Sequence, residues 1–537
     1  MKKIATLLLF VLSFSSFAQE EDAWVYFVDK PDEVYYANNP LEMLSQRALD
    51  RRTTQNIALD LKDIPISQTY MAQVEAATGI TVMAKSKWLN ALHIRGSQTN
   101  IQALTALSFV DHVQFANHSL NPTNRGVAYS TSHRNNEAFE IMANYNYGNS
   151  SNQIQMLNGH LLHQQDYTGQ GKVIAVLDAG FPGVNTASSF QRLRDNNLIL
   201  GGYNFPDRSS NFYTRNSHGT NVLSTMGGYV DGQLVGTAPD AGYYLFITED
   251  VNSENPVEES YWVEALEMAD SLGVDVVNSS LGYGEYDNAS YSYSYSQRNG
   301  QIGFASRGAG IAHLKGIVCV ISAGNEGNTS EPHIGIPADA DHVLTVGAVN
   351  SSEAYASFSS IGPSFDGRVK PDVCAKGQSA TVSSTTGAIT TSNGTSFSSP
   401  ILAGMVATFW SALPNLTADE VIQFVRESAD QYTTPDIYKG YGVPDFQLAL
   451  NNVLSTESFV KQSLTFYPNP VGNSLYIKGN YFDKGEFKLY NGLGQKVLQI
   501  VVLQNDQKIS LESLAPGIYV YDFSANNTNL QGKLIKQ

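Results

Sequence analysis

The stretch from Lys172 to Gly180, "KVIAVLDAG", runs through five apolar residues without a polar break and stops at an aspartate and a glycine. A strand with one wet face alternates, so an unbroken apolar run fits a strand covered on both faces. The same texture recurs in "GYYLFITED" (242–250), "VDVVNSSLG" (274–282), "GIVCVISAGN" (316–325) and "HVLTVGAV" (342–349). Helical patterns lie between these runs, such as "EESYWVEALEMADSL" from Glu258 to Leu272. Strand, helix, strand in this order predicts a doubly wound α/β domain with a mostly parallel sheet over residues 151–455. In such a sheet ligands bind beyond the carboxyl ends of the strands, so the polar residues that close the runs collect at one edge.

On the N-terminal side, residues 19–118 mix strand-like runs ("DAWVYFVDK") with helical patterns ("PLEMLSQRALDRR") and read as a small α+β unit. Residues 119–150 lose periodicity and read as a linker. The first 18 residues carry two lysines, an apolar run too short to span a bilayer, and small residues before Gln19, which is the pattern of a cleaved signal peptide. On the C-terminal side, residues 456–537 alternate in short strands broken by Gly, Pro and Asn, predicting an all-β sandwich module. Within the central domain, "YSYSYSQRNG" (291–300) is low in complexity and reads as a solvent-exposed insertion.

The balance of 33 basic against 50 acidic residues, a net charge of −17, repels polyphosphates and argues against a nucleic-acid partner. No later apolar run is long enough for a transmembrane segment. With two cysteines, Cys319 and Cys374, there is no disulfide framework; each sits in an apolar run as a buried thiol would, and a single bridge between them stays open.

Four stretches carry chemistry: Asp178 in "VLDAG", His218 in "SHGTNV", Asn325 in "SAGNEG" and Ser396 in "NGTSFSSP". Each has a bland reading, as turn former, surface histidine or helix cap. Together they supply a nucleophile, a base, a carboxylate to orient the base, and an amide able to donate to an oxyanion, all on elements predicted to meet at one edge. Gly219 and Thr220 keep the start of the histidine's helix slim, and Gly324 lets the backbone beside Asn325 approach a substrate.

In that order, "DAG", "HGT", "SAGN" and "GTSFSSP" resemble the subtilisin-type serine peptidases over about residues 151–450. The resemblance implies Asp178, His218 and Ser396 as catalytic triad and Asn325 as oxyanion donor with the Ser396 N–H. It also implies Ser280, Leu281, Gly282, Ala323 and Gly324 as substrate-binding residues. Ala179 departs from the usual Ser or Thr, and Phe397 and Ser398 from Met and Ala. These changes bear on the aspartate's hydrogen bonds and the packing behind the serine. The N-terminal unit resembles the family's propeptide, implying a partner that covers the cleft in cis. "FYPNP", "LYNGLGQKV" and "LAPGIYVYDF" resemble the type IX secretion sorting domain of Bacteroidetes-type bacteria, implying the secretion machinery as a further partner and export through the periplasm to the surface or medium.

The function implied is a secreted endopeptidase acting on proteins or peptides, with no cofactor for the chemistry. The alternative is a non-catalytic surface adhesin on a peptidase scaffold, which has no physical need for all four residues. A metal hydrolase is weaker still: there is no H-E-x-x-H and no His/Cys ligand spacing. Calcium is common among relatives, yet no ligand set is readable here. Glu326 and Glu331 follow "SAGN"; pointing inward they would favour basic side chains, but they read as solvated loop carboxylates.

Overall fold

The computed structural model describes residues 20–121, 145–463, 465–478, 485–502, 507–525 and 528–537. The signal-peptide reading and most of the linker lie outside the described residues. The chain divides into two units, Met1–Ala449 and Leu450–Gln537, and the division falls inside the helix Phe446–Ser463.

The first unit opens with an antiparallel sheet of strands β1 (Glu20–Phe27), β2 (Ile80–Ser86), β3 (Ala91–Ser97) and β4 (Val110–Phe115), in the order β2-β3-β1-β4. A helix, α1 (Gln46–Thr54), lies between β1 and β2 and is capped by the Ser45 side chain. Then come β5 (Val173–Asp178), β6 (Ile199–Asn204), β7 (Gly242–Ile247), β8 (Val276–Ser279), β9 (Val318–Ser322), β10 (Leu344–Val349) and β11 (Val373–Lys376). They form one sheet in the order β11-β10-β9-β8-β5-β7-β6, every neighbouring pair parallel. The unbroken apolar runs are explained directly, since β5, β8, β9, β10 and β11 are buried at every position. From β5 the chain goes to β7 and β6 on one side and to β8 onward on the other. The crevice between the ends of β5 and β8 is therefore the topological switch point.

Four helices matter for the site: α2 (His218–Gly227), α3 (Val257–Leu272), α4 (Phe304–Leu314) and α5 (Thr395–Ala412). The α5 sequence is apolar nearly all round, as a core helix must be, and Ser411 is its single residue outside the buried class. The N-terminal sheet packs on α3 and α4. Trp24 stacks on Phe304 at 5.0 Å between ring centroids, and its Nε1 donates to Ser260 Oγ at 2.9 Å. The Glu267 carboxylate on α3 accepts from Ser86 Oγ (2.6 Å) and from the N–H groups of Lys87 and Trp88 (both 2.9 Å).

The tyrosine-rich stretch is not an exposed insertion. Tyr291 and Tyr293 are buried; the Tyr293 hydroxyl donates to Glu259 at 2.8 Å and that of Tyr291 to Glu21 at 3.0 Å. Alternation placed their rings on one side, and buried glutamates supply acceptors that a sequence does not reveal. Tyr145 and Tyr147, at the end of the stretch read as linker, pack with Ile154 and Val235. Cys319 and Cys374 are both free, on β9 and β11 with β10 between them, and burial pushes the Cys319 thiol up to about 12.

The second unit consists of antiparallel sheets. One contains Gly485–Tyr490, Lys496–Val502, Gly517–Ala525 and Thr528–Lys536, and the other Thr465–Tyr467, Ser474–Lys478 and Lys508–Ser510. Leu475, Ile477, Phe487, Leu489, Ile509 and Leu534 from both sheets share one core, which makes the module a sandwich.

Candidate active site

Strand β5 delivers Asp178 to the switch point with its side chain fully buried. Its Oδ1 accepts from the Ala179 N–H at 2.7 Å and from His218 Nδ1 at 2.8 Å. A carboxylate only accepts, so the imidazole proton is on Nδ1 and Nε2 keeps its lone pair. Asp178 Oδ2 is buried without a hydrogen-bond partner. The Asp178 charge holds the His218 pKa above its ordinary 6.5 against the opposing effect of burial, and Glu249 adds a smaller pull.

Close packing of α2 on β5 requires Gly219. A Cβ there would fall 2.5 Å from Gly180 O and 2.9 Å from Asp178 Cβ, distances that real atoms do not adopt. Gly324 has φ +107°, and a Cβ on it would collide with Glu326 Oε2 and Ser360 Oγ. The constraint there comes from the protein's own side chains as well as from any approaching substrate.

Ser396 lies in the first turn of α5 behind Gly394, whose φ of +143° strongly favours glycine. First-turn N–H groups have no helical partner, which leaves the Ser396 N–H unbonded within the helix. Pro400 lacks the N–H that would bond the Ser396 carbonyl four residues back. That carbonyl instead accepts from Ser280 Oγ at 2.9 Å, which ties the serine to the segment after β8. The Ser396 hydroxyl points to Ser280 O at 3.5 Å and makes no hydrogen bond to His218. His218 opens α2 and Ser396 stands in the first turn of α5, and the ring of Phe397, next in sequence to the serine, lies 6.0 Å from that of His218. Such bonds are often long or misaligned without substrate.

Asn325 Oδ1 accepts from Thr395 N at 2.9 Å and from Thr395 Oγ1 at 3.2 Å, which fixes the amide and leaves its NH₂ end open. Ser280, Leu281 and Gly282 form one wall of a cleft of about 550 Å³, Ala323, Gly324 and Asn325 form the other, and Ser396 lies at its edge. Leu281 and Gly282 make no backbone hydrogen bonds among the described residues, so that wall offers a free edge to an extended peptide. Ser280, Leu281, Gly282, Ala323, Gly324, Asn325 and Ser396 thus line one cleft, and Asp178 and His218 are paired at the carboxyl end of β5. Arg298, inside the stretch set aside as low complexity, also lines this cleft; a lone arginine among tyrosines and serines carried no signal for it. Glu326 and Glu331 line it too and are exposed, with Glu326 Oε2 accepting from Ser360 Oγ at 2.7 Å.

Among the described residues, His313, His342 and Asp419 come close enough to share a cation. The two imidazoles are stacked 4.6 Å apart and 16° from parallel, so their in-plane lone pairs do not converge on one ion. His313 Nε2 instead lies within hydrogen-bond distance of Asp419 Oδ1, at 2.9 Å.

The chain matches the Peptidase S8 propeptide domain of Bacteroidota over residues 22–135, the Subtilase family over 169–443 and the secretion system C-terminal sorting domain over 465–537. It is 32% identical to subtilisin DY of Bacillus licheniformis over 298 residues, which is 55% of this chain and 97% of that protein. Against subtilisin NAT of Bacillus subtilis subsp. natto it is 31% identical over 301 residues, 55% of this chain and 70% of the relative. MycP1 from the ESX-1 type VII secretion system superposes over 59% of this chain and 90% of its own, with 23% identity and a TM-score of 0.43. With almost the whole of subtilisin DY aligned and the family matched across just over half of the sequence, the chain belongs to the subtilase family of serine peptidases.

Proposed function

We propose that this chain is a secreted endopeptidase in which Ser396 is the nucleophile, His218 the base, and Asp178 the group that holds the base. The observation that carries the reading is the Asp178–His218 pair, 2.8 Å apart, with the ring of Phe397, the residue after the serine, 6.0 Å from the His218 ring. Ser396 Oγ attacks the peptide carbonyl while its proton passes to His218 Nε2. The oxyanion forms between the open NH₂ of Asn325 and the Ser396 N–H, where the helix N-terminus adds a favourable field. The tetrahedral species collapses as His218 returns the proton to the leaving amine, and water hydrolyses the acyl-enzyme by the reverse sequence. Leu281 and Gly282 pair with the substrate backbone.

Residues 19–118 act as a propeptide in cis, released within 119–150; residues 151–455 form the peptidase; residues 456–537 direct export through the periplasm after loss of the signal peptide. Ser396→Ala tests the reading. In subtilisin the equivalent loss is about 10⁶ in kcat. The purified variant should lose hydrolysis of a casein substrate on this scale and keep its circular-dichroism spectrum; retention of more than a trace of activity counts against Ser396.

A further inference from the structure

Three arginines are buried among the described residues: Arg51, Arg52 and Arg298. Arg51 and Arg52 both end on the carboxylate of Asp270. Arg298 has no ion pair among the described residues. Its Nη1 donates to His333 O at 3.3 Å, and its Nε is buried without a partner. The nearby Asp366 is already engaged by Arg368 at 2.8 Å. Arg298 nevertheless lines the cleft whose walls are Ser280–Gly282 and Ala323–Asn325. It lies beside Gly284, where an added Cβ would sit 3.4 Å from Nη2. Gly335 also lines the cleft, and an added Cβ there would meet only Tyr283 O, at 3.7 Å.

A guanidinium cannot shed its proton to escape the cost of burial, so an unpaired buried one calls for an anion from elsewhere. Four carboxylates also line the cleft, those of Glu254, Glu285, Glu326 and Glu331, and all four residues are exposed. Their field is screened by water, and Glu326 is turned onto Ser360. His333 is held below the ordinary histidine range by burial and by Arg298, so it adds no competing charge near neutral pH. The desolvated cation therefore dominates recognition inside the cleft. We propose that Arg298 makes this peptidase selective for an acidic side chain at the residue that contributes the scissile carbonyl. The proposal rests on Ser396 being the nucleophile, because that assignment makes this cleft the receptor for that side chain. Arg298 would then form a charge-assisted hydrogen bond with the substrate carboxylate.

The test uses the full chain after maturation and four peptides that differ only at that residue: Glu, Gln, Leu and Lys. Glu and Gln share a shape, so their ratio reads charge. The expected kcat/KM for Glu exceeds that for Gln by about 10–100-fold, the scale of a hydrogen bond to a charged group. Arg298→Gln should bring cleavage after Glu down to the level seen after Gln. Equal cleavage after Glu and Gln in the wild type, or a Glu preference that survives Arg298→Gln, overturns the proposal. Should Arg298→Gln fail to fold, the wild-type Glu-to-Gln ratio decides alone. Labelling by a serine-directed fluorophosphonate separates the two levels of failure. Labelled Ser396 without preference for acid removes only the selectivity, whereas no labelling and no cleavage removes the catalytic reading and the selectivity with it.

Discussion

Asp178 holds His218 through Oδ1, which also accepts from the Ala179 N–H, while Oδ2 is buried without a partner. Because Asp178 raises the His218 pKa, the base becomes protonated on acidification earlier than a free histidine would. The neutral form attacks, so activity falls as pH drops through that raised pKa, and the acid limb of kcat/KM should have its midpoint above 6.5. Asp178→Asn removes the charge and the correct tautomer together. The limb should move to lower pH and kcat should fall by about 10⁴, the loss known for this change in a Ser-His-Asp triad. A limb that stays in place in the variant would assign it to another group. Gly219→Ala is a steric counterpart, since the new methyl enters the space of Gly180 O and Asp178 Cβ. Overpacking at such a site costs about 1–3 kcal/mol. Both stability to urea and kcat should fall, as α2 has to retreat from β5.

At the scale of elements, α1 docks the N-terminal unit through buried charge. Arg52 lies 2.7 Å from both Asp63 and Asp270, and Lys315 from α4's C-terminal end reaches Asp63 at 3.1 Å. Removing one partner of a buried pair costs about 3–5 kcal/mol, toward the lower end here because Arg51 and Lys315 still serve the stranded carboxylates. Arg47, with a side chain 41% exposed, pairs with Asp275 and should contribute about 0–1 kcal/mol. In a Ser396→Ala background, where the chain stays uncut, Arg52→Ala should lower the denaturation midpoint far more than Arg47→Ala. Equal effects would show that burial does not set the strength of this docking. The junction between the N-terminal unit and the peptidase carries a second expectation. Between residues 116 and 150 the acidic residues are Glu137 and Glu140, just past the end of the propeptide match at 135. Self-release by an acid-selective enzyme should leave Ala138 or Ile141 as the mature N-terminus, and Edman sequencing of the secreted form would reveal a cut elsewhere.

For the whole molecule, the sandwich has a core of its own and all four proposed catalytic residues lie in the first unit. Deleting residues 460–537 should leave a recombinant peptidase of near-normal activity, while in the native host the truncated chain should stall before reaching the medium; loss of activity in the recombinant form would show that the module completes the catalytic fold. The parallel sheet and the placing of Asp178 and Asn325 at one edge were legible in the sequence, because both-faced burial writes unbroken apolar runs and the polar residues that follow them fall at the same end. His218 and Ser396 stand at helix starts and were tied to that edge by their motifs. Burial of the tyrosines at 291 and 293 was not legible, since a Tyr/Ser alternation fits an exposed loop until Glu21 and Glu259 supply acceptors from distant segments. The same holds for Pro400, whose missing N–H became meaningful once Ser280 was seen to take the freed carbonyl. Sequence by itself determined the fold class and the chemical groups, which depend on local periodicity and residue type. Tertiary structure alone decided the partners of buried polar groups, Arg298 among them, because those partners come from remote parts of the chain and depend on where desolvation leaves a charge unpaired.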